Sequence, residues 1–470
     1  HDPWVTEGIY DGSWFHFPKV DDPIKAIGDV DLIYISHIHP DHYDPKFLKK
    51  YFEVYGTKKI LIADHKPNYL AGKMRLDGFQ YEIVSTPICF GKTSIEIMPH
   101  KTGSISDIDS AIVVKYDDGS RIHCIVNAND IIFNNDSRLT LKKIAGDVDI
   151  LLLGHTGAGP YPQTYFEVTD DDLVVEAQKK KLAFFERYKN LIGVINARVN
   201  IPFAGKYLLG GKLTHLNEFR GTADPVEILD FDERAVVLAD DGGEISTENL
   251  MPSHVRDELY SDAIMARRIT EISDFKMNYE LLISKDEVHQ LPIKRLLVPA
   301  TKNALMKSEC EEDYFFHIPI SESEVAIINA NKNSDQPICF CYPDRNVTKP
   351  YSLIQIDIRY LFGLLTSVYH WNNAEIGSQY NIRRNPNIFN RSGLNWSFSE
   401  SSLRFLEEEI YKRDGKKFCS PNSLELRTVA SFSCIVLVRA FTLSKNITCD
   451  LLIWVFPLED LFLGEGNNKD

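Results

Sequence analysis

Short apolar runs separated by polar turns fill the first 160 residues. Seven of them, at 32–36, 59–63, 81–85, 94–98, 111–116, 123–127 and 150–154, are rich in Ile, Val, Leu and Tyr, and each predicts a strand. Residues 43–52 and 65–75 predict short helices between strands. Thr169 and Asp170 supply an N-cap for a helix over about 171–192, whose apolar stripe runs through Leu173, Ala177, Phe184 and Phe185. Strands mixed with helices in this way predict an α/β layered domain.

One unit of the pattern occurs twice. Gly28-Asp29-Val30-Asp31 leads into an apolar strand that ends at His37, and Gly146-Asp147-Val148-Asp149 leads into another that ends at His155. Each His stands eight residues after the first Asp of its string. The repeat predicts two similar supersecondary halves, one in each of two sheets. The composition changes after Asp224-Pro225, which sets the expected division at 1–225 and 226–470. Within the second part, 226–250 reads as a small β segment with a turn at 240–243, and 254–285 reads as helical. A mixed strand-and-helix region follows from about 290. No flexible linker separates the parts, so the C-terminal region is expected to pack over the first and cover its mouth.

Charge narrows the range of partners. The 470 residues carry 52 Lys and Arg against 67 Asp and Glu, a net charge of −15, which argues against binding a nucleic-acid backbone. The longest apolar runs, near 433–438 and 451–456, fall far short of the roughly 18–20 residues of a membrane span, so no membrane partner is expected. The eight cysteines include no C-x-x-C pair, and a reducing cytoplasm is the expected compartment. The chain opens on His-Asp-Pro rather than Met, which predicts residues in front of it.

The chemistry concentrates in Ser36-His37-Ile38-His39-Pro40-Asp41-His42, where three imidazoles and a carboxylate fall within six residues at the end of a strand. Imidazole nitrogen with carboxylate oxygen is the donor mix that zinc, non-haem iron and manganese prefer. In extended backbone His37 and His39 point to one side and can share an ion. Pro40 then turns the chain, so that Asp41 and His42 can face a second ion.

His-Ile-His-Pro-Asp-His resembles the signature of the metallo-β-lactamase superfamily, whose fold is an αββα sandwich with metals between the sheets. The resemblance implies further ligands at His100, Asp130 and His155, each at the end of a predicted strand, and casts Asp41 and Asp130 as the carboxylates that orient the nucleophile. His65 reads as a supporting residue rather than a ligand. A narrower likeness runs through Asn127-Ala128-Asn129-Asp130, Gly157-Ala158-Gly159-Pro160-Tyr161-Pro162, Pro202–Leu208 and Trp371–Gly377. These segments resemble the CMP-N-acetylneuraminate hydroxylase branch and, more distantly, the ascorbate-6-phosphate lactonase branch. That hydroxylase family also carries a Rieske domain with C-x-H and C-x-x-H ligands, and no cysteine of this sequence stands in either pattern.

The expectation that follows is an αββα sandwich with an additional mixed C-terminal region and two divalent ions, zinc foremost, with iron or manganese as alternatives. The expected reaction is hydrolysis of a small phosphoester, lactone or amide by metal-activated water. An anionic substrate would meet Lys206, Arg220 and Arg383, the first two from a basic segment that also holds Arg198 and Lys212. Two other readings stand beside it: a diiron oxygenase or oxidase served by a separate redox partner, and a metal-containing module that binds nucleotide or protein. A homo-oligomer is compatible with each.

Overall fold

A computed structural model describes residues 1–103, 107–203, 206–238, 243–253, 257–308, 310–343, 350–387, 434–439 and 452–457. The described residues divide into two compact units, one of residues 1–277 with 376–378, the other of residues 278–375 with those described from Gln379 onward. The strands of the first unit are β1 (Trp14–His16), β2 (Leu32–Tyr34), β3 (Lys59–Ala63), β4 (Glu82–Val84), β5 (Ile88–Phe90), β6 (Thr93–Pro99), β7 (Ser110–Asp117), β8 (Ile122–Asn127), β9 (Ile150–Gly154), β10 (Val199–Phe203) and β11 (Tyr207–Leu209).

Strands β2, β3 and β4 form a parallel three-stranded sheet. A six-stranded sheet has the order β10-β9-β8-β7-β6-β5, parallel from β10 to β8 and antiparallel beyond. The two-residue alternation of side chains decides what each face meets. Tyr34, Leu61, Ala63 and Val84 of the small sheet pack against Ile95, Ile97 and Ile112 of the large one, forming a core between the sheets. On the opposite face of the small sheet, Ile33, Ile35, Ile60 and Ile62 meet Phe47, Leu48 and Tyr51 of the Pro45–Tyr55 helix and Leu70, Ala71 and Met74 of the Tyr69–Leu76 helix. On the outer face of the large sheet, Val113, Val126, Leu151 and Leu153 meet Leu141 and Ala145 of the Asn135–Ala145 helix and Tyr188, Leu191 and Ile195 of the Asp171–Ile195 helix. The layers are therefore α, β, β and α, the sandwich that the resemblance implied.

The duplicated unit has a structural counterpart. Gly28 closes the Pro23–Ile27 helix and Gly146 closes the Asn135–Ala145 helix, at φ of 67° and 71°, a conformation that L side chains resist. Each glycine leads into a strand that ends just before a His, β2 in the small sheet and β9 in the large one. The expected boundary at 225 falls inside the first unit. Residues beyond it are stitched to β10, because Asp232 accepts from Tyr188 Oη at 3.0 Å and Asn200 Nδ2 at 2.8 Å, and Val236 N donates to Asn200 O at 2.8 Å. The small β segment expected at 226–250 is reduced to the bridges Asn200↔Ala235 and Ile245↔Pro252, and most of its turn lies outside the described residues. The helical stretch expected at 254–285 breaks into Asp257–Tyr260, Asp262–Ile272 and Asn278–Leu282.

The second unit holds a five-stranded mixed sheet in the spatial order Ile338–Cys341, Glu324–Asn329, Phe315–Ser321, Tyr351–Ile356 and Tyr380–Asn385. The helices Ile293–Lys307 and Ile358–Leu365 belong to the same unit. No helix among the described residues is long and apolar enough to cross a membrane.

Candidate metal centre

Past β2 the backbone stays extended through Ile35, whose N–H donates to Leu61 O at 3.1 Å, and this delivers His37 to the edge of the inter-sheet core. Pro40 then forces a tight turn in which the N–H groups of His42 and Tyr43 donate to His39 O at 3.0 and 2.8 Å. Asp44 ends the loop by capping the next helix, accepting from Phe47 N at 3.0 Å, with Pro45 in the first helical turn. The turn folds His42 back against His37, with ring centroids 4.0 Å apart. His37 Nε2 lies 2.8 Å from His39 Nδ1, so these two imidazoles face one side as extended backbone predicts.

Asp130 arrives from the large sheet. Asn129, just after β8, takes a left-handed φ of 46° and is pinned by Asn127 Oδ1 on its N–H (3.0 Å) and by Ser110 O on its amide (3.0 Å). Asp130 Oδ2 then stands 3.2 Å from His42 Nε2, and Asp41 Oδ2 stands 3.5 Å from the same nitrogen. His37, His42 and Asp130 can each offer one donor atom, all three within 4.8 Å of one another. The Pro40 turn thus gathers His37, Asp41 and His42 into one cluster.

The other expected residues take different places. His100 follows β6 with its N–H on Asp109 O at 2.8 Å, and its Nε2 is buried without a hydrogen-bond partner. His155 is fully buried at the end of β9, with Nε2 3.3 Å from Ala223 O, and burial lowers its pKa to about 4. Both stand outside the three-donor group. Arg220 is fully buried, donating to Tyr207 O and stacked 4.3 Å from the Tyr207 ring. Lys206 is paired with Asp224 at 2.8 Å and Arg198 with Asp149 at 3.1 Å. Arg198, Lys206 and Arg220 of the basic segment thus each have a partner within the first unit. Arg383 belongs to the second unit, on the Tyr380–Asn385 strand.

Three residues that the sequence reading passed over shape the centre. Asp2 lies 3.2 Å from His42 Nδ1, Tyr10 Oη donates to Asp41 Oδ1 at 2.5 Å, and Asp109 Oδ1 is 3.6 Å from His37 Nδ1. Only the third had a sequence signal, as one of two acids, Asp107 and Asp109, that follow His100 in the chain. His65 is buried, with its Nε2 unpartnered, and it lines a small cavity with Ser36, Ala63, Asn68 and Ile108.

The electrostatics are those of a site built for a cation. Burial and then the neighbouring imidazoles of His42 and His39 hold His37 well below the usual histidine range. Burial also opposes charge on His42, but the carboxylates of Asp130, Asp41 and Asp2 together outweigh it and raise its pKa well above normal. Burial, then the charge of Asp130, pushes Asp109 up to about 7. A site that must protonate an imidazole or a carboxyl to offset its own negative charge gains from a metal ion instead. The nitrogen and oxygen donors present, with the unpartnered Nε2 of His100 buried nearby, fit a divalent ion.

No family model matches the chain. In sequence it is similar to a protein of Mycolicibacterium smegmatis provisionally described as a Rieske 2Fe-2S iron-sulfur protein, with 29% identity over 261 residues that cover 52% of this chain and 47% of that one. It is also similar to the cytidine monophosphate-N-acetylneuraminic acid hydroxylase of Sus scrofa, 25% identical over 220 residues, covering 44% and 47% of the two chains. The chain thus spans about half the length of these curated relatives. Among solved structures, one described as a possible metal-dependent hydrolase from Veillonella parvula aligns over 51% of this chain and 89% of its own, at 12% identity and a TM-score of 0.35. The metallo-β-lactamase fold protein YhfI of Bacillus subtilis aligns over 45% and 76%, at 16% identity and a TM-score of 0.25.

Proposed function

We propose that this protein is a metal-dependent enzyme, a hydrolase of small ester-type substrates such as phosphoesters, lactones or amides, working at the centre formed by His37, His42 and Asp130. The observation that carries the reading is the convergence of those three side chains from two sheets on one point. His37, His39, His42, Asp41 and Asp130 would hold the metal, with His100 completing the set. Divalent ions bound there supply an acidified water and polarise the oxygen of the scissile bond. Asp130, whose side chain is 40% exposed, is the carboxylate open to solvent, and it can take the proton of an attacking water. Asp41, 15% exposed and fixed by Tyr10, keeps its charge beside the reacting atoms.

One observation favours a second reading, a diiron oxygenase. The sequence relatives bear hydroxylase and Rieske descriptions, although the chain spans only about half of each. The two readings separate in one assay. Protein purified without added metal is tested for its bound elements and for turnover of p-nitrophenyl phosphate, a p-nitrophenyl phosphodiester and simple lactones, before and after chelation. Bound zinc with chelator-sensitive hydrolysis supports the hydrolase. Bound iron with a visible absorption band and no hydrolysis overturns it in favour of the oxygenase.

A further inference from the structure

We infer that Asp2 and Tyr10 are positioning residues for the metal ligands His42 and Asp41, and that residues 2–12 fold as a strained clamp around the centre to serve that end; the inference rests on the metal reading above. One oxygen of Asp2 accepts from Ser36 N at 2.6 Å, which fixes the carboxylate, and the other lies 3.2 Å from His42 Nδ1. With a carboxylate on Nδ1, the His42 proton is held on that side and Nε2, the nitrogen facing Asp130, presents its lone pair. Tyr10 acts on the neighbouring ligand. Its hydroxyl donates to Asp41 Oδ1 at 2.5 Å, so Oδ2, 3.5 Å from His42 Nε2, is the oxygen left on the cluster side.

The backbone that carries these two side chains is conformationally costly. Asp2, Tyr10 and Asp11 take φ of 43°, 52° and 64°, a region that non-glycine residues avoid unless the surroundings hold them there. The surroundings do hold them. Asp2 N donates to Tyr34 O at 2.9 Å, Ser13 Oγ donates to Tyr10 O at 3.0 Å, and the Tyr10 ring packs 4.5 Å from Trp14, which stacks 3.4 Å from Tyr207. Gly8, at φ 73°, opens the turn, and its N–H donates to Trp14 O at 2.8 Å. Strained backbone that ends in a carboxylate on one ligand and a hydroxyl on the next sets ligand geometry, and packing alone requires neither polar group.

Tyr10→Phe and Asp2→Asn each remove one polar contact and keep the shape. The full-length protein and both variants are stripped with a chelator and titrated with Co2+, following the visible absorption of the ion and its competition with a chelating dye, while thermal melting is recorded for the metal-free forms. Each variant is expected to bind Co2+ about 10–100-fold more weakly, with an altered visible band. The metal-free melting temperature of Tyr10→Phe should stay near that of the parent, because its ring still packs on Trp14. Affinities within twofold of the parent in both variants, with an unchanged band, would overturn the inference while leaving the metal reading in place. Should Asp2→Asn fail to fold, Tyr10→Phe decides alone. A parent protein that binds no Co2+ overturns both.

Discussion

Asp130 separates ligand chemistry from packing more cleanly than its neighbours, because it is the most solvent-open member of the cluster and its loss leaves no cavity. Asp130→Asn keeps the size but substitutes a weak amide donor for the carboxylate. The variant should fold, with an unchanged thermal transition after chelation, and lose part of its bound metal together with catalysis by orders of magnitude. Metal content measured alongside hydrolysis checks this. His65→Ala should leave metal content near that of the parent, since His65 lies outside the three-donor group. His37, His39, Asp41 and His42 were legible as a group in the sequence because they share one short loop. Asp2 and Tyr10 were not, since a carboxylate 40 residues from His42 in the chain acquires meaning only through a turn of left-handed residues that no periodicity announces.

At the scale of elements, the loop bearing the motif depends on how its two ends are fastened. Asp44 is 4% exposed; one oxygen caps the Pro45–Tyr55 helix through Phe47 N at 3.0 Å and the other accepts from Thr6 N at 3.1 Å. Asp44→Ala should therefore destabilise the protein by about 1–2 kcal/mol, a lost cap plus a buried amide left without its acceptor. Denaturant titration would show this as a lower midpoint at unchanged slope. A midpoint equal to that of the parent would count against the fastening role. Seven of the nine strands of the two sheets were legible from their apolar runs, and β3 and β9 fall at their expected bounds, whereas β5 and β10 were not foreseen. The Asn135–Ala145 helix was not foreseen, although Asn134 caps it and Gly146 closes it, because it buries little apolar surface, with Leu141 and Ala145 its buried residues. Between 226 and 253 the described residues hold no long strand or helix, and the place of this segment is set by Asp232, a buried acid that the sequence presents as an ordinary polar residue.

For the molecule as a whole, Lys180 gives a handle on stability against pH. Burial, then the charge of Arg220, lowers its pKa to about 7, and its Nζ donates to Tyr161 O at 2.9 Å. Between about pH 7 and the unfolded value near 10.4 the unfolded chain binds the extra proton, so this residue makes stability rise with pH across that window. Lys180→Met should remove that rise, and its melting temperature relative to the parent should be highest near pH 7 and fall towards pH 10. A difference that is flat with pH would contradict the assignment. The four-layer sandwich followed from the sequence pattern together with the motif. The division of the chain after Met277 did not, because composition changes at Pro225 while the packing of the first unit continues past it.

The central claim is that the side chains gathered around His37, His42 and Asp130 form a metal site. Elemental analysis of the full chain, purified without added metal and set beside a His37→Ala/His42→Ala double variant, tests it most directly. The account predicts about two equivalents of divalent metal in the parent, as expected for a dinuclear hydrolase centre, and a loss of most of it in the double variant. A folded parent carrying only trace metal, or a double variant that retains the full complement, would contradict it.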